Sequence, residues 1–173
     1  PRPPRSPRTE AAAASDGSKR QEGARTVALA TVGDPTVFST FTYLRANVEE
    51  RLPDVTVELS PGITAMQALS AASGRPLVEG KEILALVPAT VGINKLGQVL
   101  DLVDSVAIYK GGRKLPDVVE QLRSRDRQAV IGTDVTLESE QIITLDEVAD
   151  AQTLPYFSTV LTTPERTTTG GKL

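Results

Sequence analysis

The chain contains neither cysteine nor histidine among its 173 residues. The lack of cysteine excludes disulfides, thiolate nucleophiles and zinc sites built on thiolates. The lack of histidine removes the commonest general base and the commonest transition-metal ligand. Any catalysis therefore depends on carboxylates, lysine, tyrosine, hydroxyl groups, backbone groups or a bound cosubstrate, and we expect no metal site.

Tryptophan is absent, aromatic residues make up 3% of the chain, and no apolar run approaches the roughly 20 residues of a membrane span. No apolar segment typical of a secretory signal is visible either. The hydrophobic content of 39% and charged content of 24% are ordinary for a globular protein. We therefore expect a cytoplasmic protein that does not act at a membrane, with one sizeable domain or two small ones.

Positive charge is concentrated at one end of the chain. Residues 1–25 hold six Lys and Arg against three Asp and Glu, and four prolines. The other 13 basic and 19 acidic residues give residues 26–173 a net charge of −6, which argues against a nucleic-acid-binding surface. Residues 1–25 predict a disordered tail, apart from a short helix around residues 11–14. Its proline-rich start is either a docking peptide or without function.

From residue 26 onwards, β-rich apolar segments alternate with segments of helical periodicity. This alternation predicts an α/β fold with mostly parallel sheets. We expect a first lobe over residues 26–88, a second lobe over 89–163 and a frayed polar end over 164–173. The predicted strands are 26–32, 55–60, 82–88, 105–111, 129–135 and 155–163, and the predicted helices are 35–52, 63–74, 93–103 and 115–123, with a loop or short helical turn at 142–149.

Two glycine-containing loops follow the first two predicted strands. Gly33-Asp34-Pro35 opens the first helix, with Asp34 as its N-cap and Pro35 as its first residue. The stretch "SPGITA" over residues 60–65 repeats the arrangement. Each loop alone is explained as a turn, but loops at the carboxyl ends of neighbouring strands form the crevice where open α/β sheets bind ligands. Neither loop matches a dinucleotide-binding or P-loop motif.

The stretch "YKGGRK" over residues 109–114 follows a strand of the second lobe. It is either a solvated turn or a basic clamp for carboxylates, in which Arg113 offers a bidentate fork and Lys110 and Lys114 offer point charges. Paired acidic residues such as Glu49 and Glu50 are typical of a solvated helix face. A Ser-based triad is excluded, because no histidine can complete it.

Several longer stretches resemble one family. In chain order they are "ALATVGDPTVFSTFTYL", "LSPGITAMQALSAASGRPLVEG", "ILALVPAT", "VAIYKGGRKLPDVVEQL" and "LPYFSTVL". Together they are similar to the tetrapyrrole (class III) methylases over about residues 24–163. The segments "STFTYL" and "PYFS" resemble the branch that acts in corrin biosynthesis, on reduced tetrapyrroles with or without bound cobalt.

The resemblance implies a two-lobed fold, S-adenosylmethionine as methyl donor, a tetrapyrrole substrate and a homodimer. By motif match, the first loop would supply Gly33, Asp34 and the Val37 backbone to the donor, and the second loop Thr64 and Ala65. The position after Tyr109 is Lys110, where relatives often carry Met, and a further contact is expected near Val135. The basic residues expected to meet substrate carboxylates are Arg113, Lys114 and Arg75.

One departure from the family leaves two readings open. The family begins with a strand and a Gly-x-Gly-x-Gly-Asp loop, which have no counterpart in residues 1–25. We therefore expect a first lobe that lacks part of its sheet, with an edge prone to association. The chain is either a methyltransferase or a non-catalytic module for binding or dimerisation.

Overall fold

A computed structural model describes residues 26–166, and these fall into two compact units that divide between Ile63 and Thr64. The predicted tail, its short helix at residues 11–14 and residues 167–173 lie outside the described residues. The sequence instead predicts a lobe boundary between residues 88 and 89, and that boundary stays a prediction. Within residues 26–166, no helix is both long enough and apolar enough to cross a bilayer.

Residues 26–63 contain one helix and no strand. The expected strands at 26–32 and 55–60 are wrong, since residues 55–60 have no regular structure and bridge pairing in 26–32 is limited to Leu29. A strand is stable only when neighbouring strands satisfy its backbone groups and cover one face. The described part of this unit offers no such neighbours, so its β-rich segments remain irregular.

Helix α1 (Phe41–Arg51) is shorter than the sequence predicts, because it begins seven residues after Asp34. The Asp34 carboxylate is engaged in a local turn instead of capping the helix. The expected apolar face is also wrong, since α1 buries none of its residues and Leu44 is 43% exposed. Helical spacing of apolar residues indicates a buried face only where another element packs on it.

The second unit consists of a five-stranded sheet with three helices. Its helices are confirmed close to the predicted bounds: α2 (Ala65–Ser73), α3 (Ile93–Leu102) and α4 (Leu115–Arg123). Short 3-10 turns at Ala89–Val91, Gly112–Lys114 and Leu145–Glu147 join the elements. The strands are β1 (Leu84–Pro88), β2 (Ser105–Tyr109), β3 (Ala129–Thr133), β4 (Gln141–Thr144) and β5 (Ser158–Thr162).

The sheet order is β1-β2-β5-β3-β4. The α/β class is confirmed, but the expected mostly parallel sheet is wrong, because only β1 and β2 pair in parallel. The three strands joined through α3 and α4 do run in one direction, as helical crossovers require. Strand β5 runs the opposite way and inserts between β2 and β3, and β4 folds back on β3. Every ladder outside the β1–β2 pair is therefore antiparallel.

Two apolar clusters cover the two faces of this sheet. The larger one contains Leu96 and Leu100 of α3 and Val118 and Leu122 of α4, all almost completely buried. The smaller one centres on Leu69 of α2, which packs on the opposite face with residues of β2, β3 and β5. Fully burying a side chain of this size contributes about 1.5–3 kcal/mol, so the second unit holds its strands firmly.

Two arginines fix the ends of elements in the second unit. Arg127 donates to the carbonyls of Leu100 and Asp104 at 2.7 and 2.8 Å and also to that of Val103, which satisfies the C-terminal end of α3. Arg166 forms a bidentate pair with Glu82, both N–O distances being 2.8 Å. Arg166 lies within residues 164–173, which were expected to be frayed. Its ion pair with Glu82 is a feature that polar composition does not reveal.

Candidate functional site

The loop at Gly33 and Asp34 is organised by a single carboxylate. Oδ1 of Asp34 accepts the Thr36 N–H at 2.8 Å and the Thr36 hydroxyl, and Oδ2 accepts the Gly62 N–H at 2.8 Å. These bonds, led by that of the Thr36 hydroxyl, lower the pKa of Asp34 below its ordinary value. Gly33 has φ 74°, a left-handed conformation that favours glycine. The loop is therefore ordered by its own side chain.

The two predicted loops lie in direct contact at Gly62. A Cβ at Gly62 would lie 2.1 Å from the Gly33 carbonyl oxygen, so the backbones approach closer than any side chain allows. The Val37 N–H donates to the Asp34 carbonyl at 3.2 Å and closes the turn on the other side. The structure thus brings Gly33, Asp34 and Val37 together with the start of the "PGIT" stretch.

In the second unit, Thr64 is the N-cap of α2. Its hydroxyl accepts the Gln67 N–H, and the Gln67 side chain accepts the Thr64 N–H at 2.9 Å, which completes a capping box. Thr64 is buried, whereas Ala65 after it is exposed. The helix ends at Gly74 with φ 67°. The Thr64 side chain thus serves the helix, and the small Ala65 leaves the first turn open to solvent.

The end of β2 is tied to the first turn of α2. The Tyr109 hydroxyl accepts the Met66 N–H at 3.0 Å, and Lys110 follows with φ 57°, an uncommon conformation for a residue with a side chain. This bond brings the predicted positions Thr64 and Ala65 close to Lys110. Tyr109 was not predicted as a site residue, although an aromatic hydroxyl at the end of a strand was the available signal.

The stretch after Lys110 forms a tight basic turn. The Lys114 N–H donates to the Gly111 carbonyl at 2.9 Å, and both glycines of the turn are buried. Arg113 is exposed and Lys114 is half-buried. Neither side chain forms an ion pair within the part of the chain that the structure describes. Their charges are therefore available to an anionic ligand.

Two further predicted residues, Arg75 and Val135, do not belong to this basic turn. Arg75 follows the C-terminal end of α2, about 15 Å from Thr64 along the helix axis. Val135 follows β3 and is partly buried against the smaller apolar cluster, where a Cβ at Gly132 would meet Val135 Cγ2 at 2.5 Å and Leu69 Cδ1 at 2.7 Å. The structure does not bring Arg75 to Lys110, Arg113 and Lys114.

A separate concave surface of about 530 Å³ lies between α4 and residues 148–151. Arg123 and Asp150 line it, at an N–O distance of 3.8 Å. None of the predicted site residues contributes to this surface. The loops described above therefore remain the stronger candidate. Within residues 26–166, no group of three or more acidic side chains is arranged to hold a metal ion.

The residues present fit a ligand recognised through backbone groups and small side chains. Gly33, Gly62 and Ala65 place no bulky side chain over the loops. Both oxygens of Asp34 are already engaged within the loop, so its part is to hold the loop in shape. Such sites position a cosubstrate that carries its own reactive group, and the protein supplies orientation.

The family of the chain follows from sequence comparison. Residues 2–149 match the family Tetrapyrrole (Corrin/Porphyrin) Methylases. A precorrin-2 C(20)-methyltransferase from Sinorhizobium sp is 37% identical over 139 residues, which are 79% of this chain and 55% of that protein. A probable cobalt-precorrin-2 C(20)-methyltransferase from Methanocaldococcus jannaschii is 36% identical over 126 residues, 70% of this chain and 52% of that protein.

Solved structures agree on the fold. The crystal structure of the methyltransferase CobJ has a TM-score of 0.55 and 25% identity, covering 82% of this chain and 65% of its own. A uroporphyrin-III C-methyl transferase from Thermus thermophilus, complexed with S-adenyl homocysteine, has a TM-score of 0.55 and 21% identity, covering 75% of this chain and 62% of its own.

The chain spans about half the length of the curated relatives it matches. The family match nevertheless covers most of its residues, and the methyltransferase CobJ has a similar fold. The mixed sheet thus belongs to a known architecture. The chain is a member of the tetrapyrrole (corrin/porphyrin) methylase family.

Proposed function

We propose that this chain is an S-adenosylmethionine-dependent methyltransferase that acts on precorrin-2 at C-20 to give precorrin-3A. The observation that carries the proposal is the contact of the Gly33-Asp34 loop with Gly62, in a chain 37% identical to a precorrin-2 C(20)-methyltransferase. A loop fixed by backbone approach offers amides and carbonyls at set positions. Such fixed groups favour binding of S-adenosylmethionine, because a preorganised loop loses little conformational entropy when the ligand binds.

The chemistry suits a chain without histidine and cysteine. S-adenosylmethionine supplies an electrophilic methyl group on a positively charged sulfur, so its transfer breaks one C–S bond, forms one C–C bond and, by charge balance, releases one proton. A reduced tetrapyrrole is electron-rich at the accepting carbon, and no protein nucleophile is required. The residues of this chain therefore act by orientation, an effect worth roughly 7–11 kcal/mol of a barrier.

Each predicted residue has a part in this proposal. Gly33, Asp34 and the Val37 backbone shape one cofactor loop, and Thr64, Ala65 and Lys110 form the cofactor contacts of the second unit. Arg113 and Lys114 are the partners for substrate carboxylates, because both are without an ion pair in the described residues. Arg75 is retained as a substrate contact, although it lies at the far end of α2 from Thr64.

The cobalt-containing substrate is a second candidate. A relative from Methanocaldococcus jannaschii is named for cobalt-precorrin-2, at 36% identity. Cobalt-factor II holds cobalt in its ring, whereas precorrin-2 is free of metal. The loops described above do not discriminate between these two substrates. Parallel assays with metal-free and cobalt-loaded substrate, read by mass spectrometry, separate the two.

A non-catalytic module for binding or dimerisation is the third candidate, and the small core of the first unit favours it. Residues 26–63 form no sheet and bury Pro35 alone among their described residues. A unit with so little core contributes few fixed groups to a reaction. A folded chain that binds a partner or a second copy of itself, with no methyl transfer, would support this reading over the enzyme.

The first test is titration calorimetry of the chain with S-adenosylhomocysteine. We expect binding that weakens at least tenfold in Asp34→Ala and in Thr64→Arg. The matched controls are Asp54→Ala and Gln98→Arg, at exposed positions that bind no predicted ligand. Absence of binding by a chain with intact circular dichroism would contradict the proposal. A homodimer and a cytoplasmic location belong to the same proposal, and sedimentation and cell fractionation test them.

A further inference from the structure

Two of the six Tyr and Phe residues of the chain are adjacent and exposed in the second unit. Tyr156 is 71% exposed and Phe157 is 57% exposed. Their ring centroids lie 5.4 Å apart with an interplanar angle of 78°, an edge-to-face contact. Exposed rings of this size are costly to leave in water, so they require an explanation.

The loop that carries the two rings is fixed by its backbone. The Leu154 N–H donates to the Gly112 carbonyl at 2.9 Å. A Cβ at Gly112 would lie 2.4 Å from the Leu154 carbonyl oxygen and 2.5 Å from that of Pro155, so glycine is required there. On the other side, the Ser158 hydroxyl donates to the Pro155 carbonyl at 2.8 Å. The rings are therefore exposed on a loop held at both ends.

The sheet register places this loop at one particular edge. Ser158, the first residue of β5, pairs with Thr133, the last residue of β3. Because β5 is antiparallel to β2 and β3, its start lies where those two strands end. Phe157 confirms this position, since its carbonyl accepts the Asp134 N–H at 3.1 Å. Ligands of α/β sheets bind at the carboxyl ends of the parallel strands.

The same edge carries positive charge. Arg113 and Lys114 directly follow Gly112, the residue that contacts Leu154 and Pro155. Neither cation has an ion-pair partner in the described residues. Asp134, the residue that follows β3, accepts the Ser139 hydroxyl at 3.0 Å. The loop with the two exposed rings and the turn with the two available cations are thus in backbone contact at Gly112.

We propose that Tyr156 and Phe157 form an aromatic platform for the ring system of a polycarboxylated tetrapyrrole, with Arg113 and Lys114 holding its carboxylates. A large conjugated macrocycle stacks on aromatic side chains, and its peripheral carboxylates pair with guanidinium and ammonium groups. The inference rests on the proposed function, since the ligand belongs to the substrate class of that reaction. It adds the two residues that recognise the ring itself.

The test uses uroporphyrin, a stable porphyrin with eight carboxylates, and no methyl donor. Binding to the full chain is followed by the shift of the porphyrin absorption band. We expect Tyr156→Ala and Phe157→Ala each to weaken uroporphyrin binding by about 3- to 10-fold. Tyr156→Phe keeps a ring and retains affinity within about twofold, whereas Lys114→Gln weakens binding and reduces its salt dependence.

Two control variants lie elsewhere on the second unit. Leu102 is 78% exposed at the end of α3, near the start of β2 and so at the opposite edge of the sheet, and Lys95 is exposed on the same helix. Leu102→Ala and Lys95→Gln leave uroporphyrin affinity unchanged. Equal weakening by the control variants, or none by the two aromatic variants, overturns the platform.

The two proposals fail in different ways. Binding of S-adenosylhomocysteine without binding of uroporphyrin overturns the platform and leaves the methyltransferase. Binding of uroporphyrin that depends on Tyr156 and Phe157, without S-adenosylhomocysteine binding, supports the platform and overturns methyl transfer by this chain. If the two alanine variants instead change only the sedimentation behaviour, the rings belong to a subunit contact and the platform is wrong.

Discussion

The Tyr109 hydroxyl accepts the backbone N–H of Met66 at 3.0 Å, across 43 residues of sequence. One side chain thereby joins the last residue of β2 to the first turn of α2. The predicted cofactor residues Thr64, Ala65 and Lys110 flank the two ends of this bond. We infer that Tyr109 is a positioning residue, which sets the separation of two loops without itself contacting the ligand.

Removing the Tyr109 hydroxyl tests this role. In Tyr109→Phe the Met66 N–H loses its acceptor, at a net cost of about 0.5–1.5 kcal/mol in the free energy of unfolding. We expect S-adenosylhomocysteine binding to weaken by about 3- to 10-fold and the Met66 amide to exchange faster with solvent. Titration calorimetry and hydrogen exchange measure the two effects, with Tyr43→Phe as the exposed control. Unchanged affinity with faster Met66 exchange would make the bond purely structural.

Asp34 gives the first loop a defined dependence on pH. Its hydrogen bonds to Thr36 and Gly62 require the carboxylate, and they lower its pKa in the folded chain. The stabilisation is complete above the ordinary aspartate pKa of about 3.9 and is lost as the pH falls through the lower folded value. We expect the Gly62 amide to lose protection from exchange in that acidic range, measured by NMR.

The matched variant is Asp34→Asn, which keeps one acceptor oxygen. Its Gly62 amide should exchange quickly at neutral pH, and its exchange should not follow the acidic transition of the native chain. A native Gly62 amide that stays protected after the Asp34 carboxylate itself has been protonated would contradict the assignment, because the protonated carboxyl would then still hold the loop.

Arg127 is expected to control the stability of the second unit. Its guanidinium satisfies carbonyls at the end of α3, and burial lowers its pKa relative to the ordinary arginine value. Arg127→Met keeps the apolar stem but leaves those carbonyls without their donor. We expect a loss of about 1–3 kcal/mol in the free energy of unfolding, measured by urea denaturation. Lys95→Met, on the exposed surface of α3, should change it by less than about 0.5 kcal/mol.

The bidentate pair of Arg166 and Glu82 offers a test of geometry at constant charge. Their side chains are 20% and 14% exposed, and Glu79 adds a third contact at 3.0 Å. Lysine cannot reproduce the two parallel bonds, so Arg166→Lys should cost about 1–2 kcal/mol. Arg45→Lys, in an exposed pair with Glu49, should cost about 0.5 kcal/mol or less. Equal changes in melting temperature for both variants would contradict this reading.

Local signals predicted part of the fold well. Helix α2 (Ala65–Ser73) lies within the predicted range of residues 63–74, because its capping box at Thr64 and its left-handed C-cap at Gly74 are encoded within a few residues of its ends. Strand β1 was also predicted from a local signal, since its apolar run is bounded by charged residues and proline. The glycine loops at Gly33 and Gly62 were also recognisable from their turn residues.

Features that depend on distant residues were not predictable. Residues 26–32 and 55–60 have strand composition but no neighbours to pair with in the described residues. Residues 142–149 were expected as a loop or short helical turn, and the 3-10 turn Leu145–Glu147 lies there. Strand β4 was missed, because its four residues become a strand only by pairing with β3. The Tyr109–Met66 bond and the Arg166–Glu82 pair join residues 43 and 84 positions apart, a separation at which sequence pattern carries no information.

The central position of β5 has a consequence for synthesis of the chain. Its residues 158–162 hydrogen-bond to β2 on one side and to β3 on the other, so neither ladder exists until the segment has left the ribosome. Until residues 158–162 emerge, the nascent chain carries β2 and β3 with open edges, and such edges invite pairing with other chains. The sheet is completed from its middle, so a single segment protects both of these edges from association.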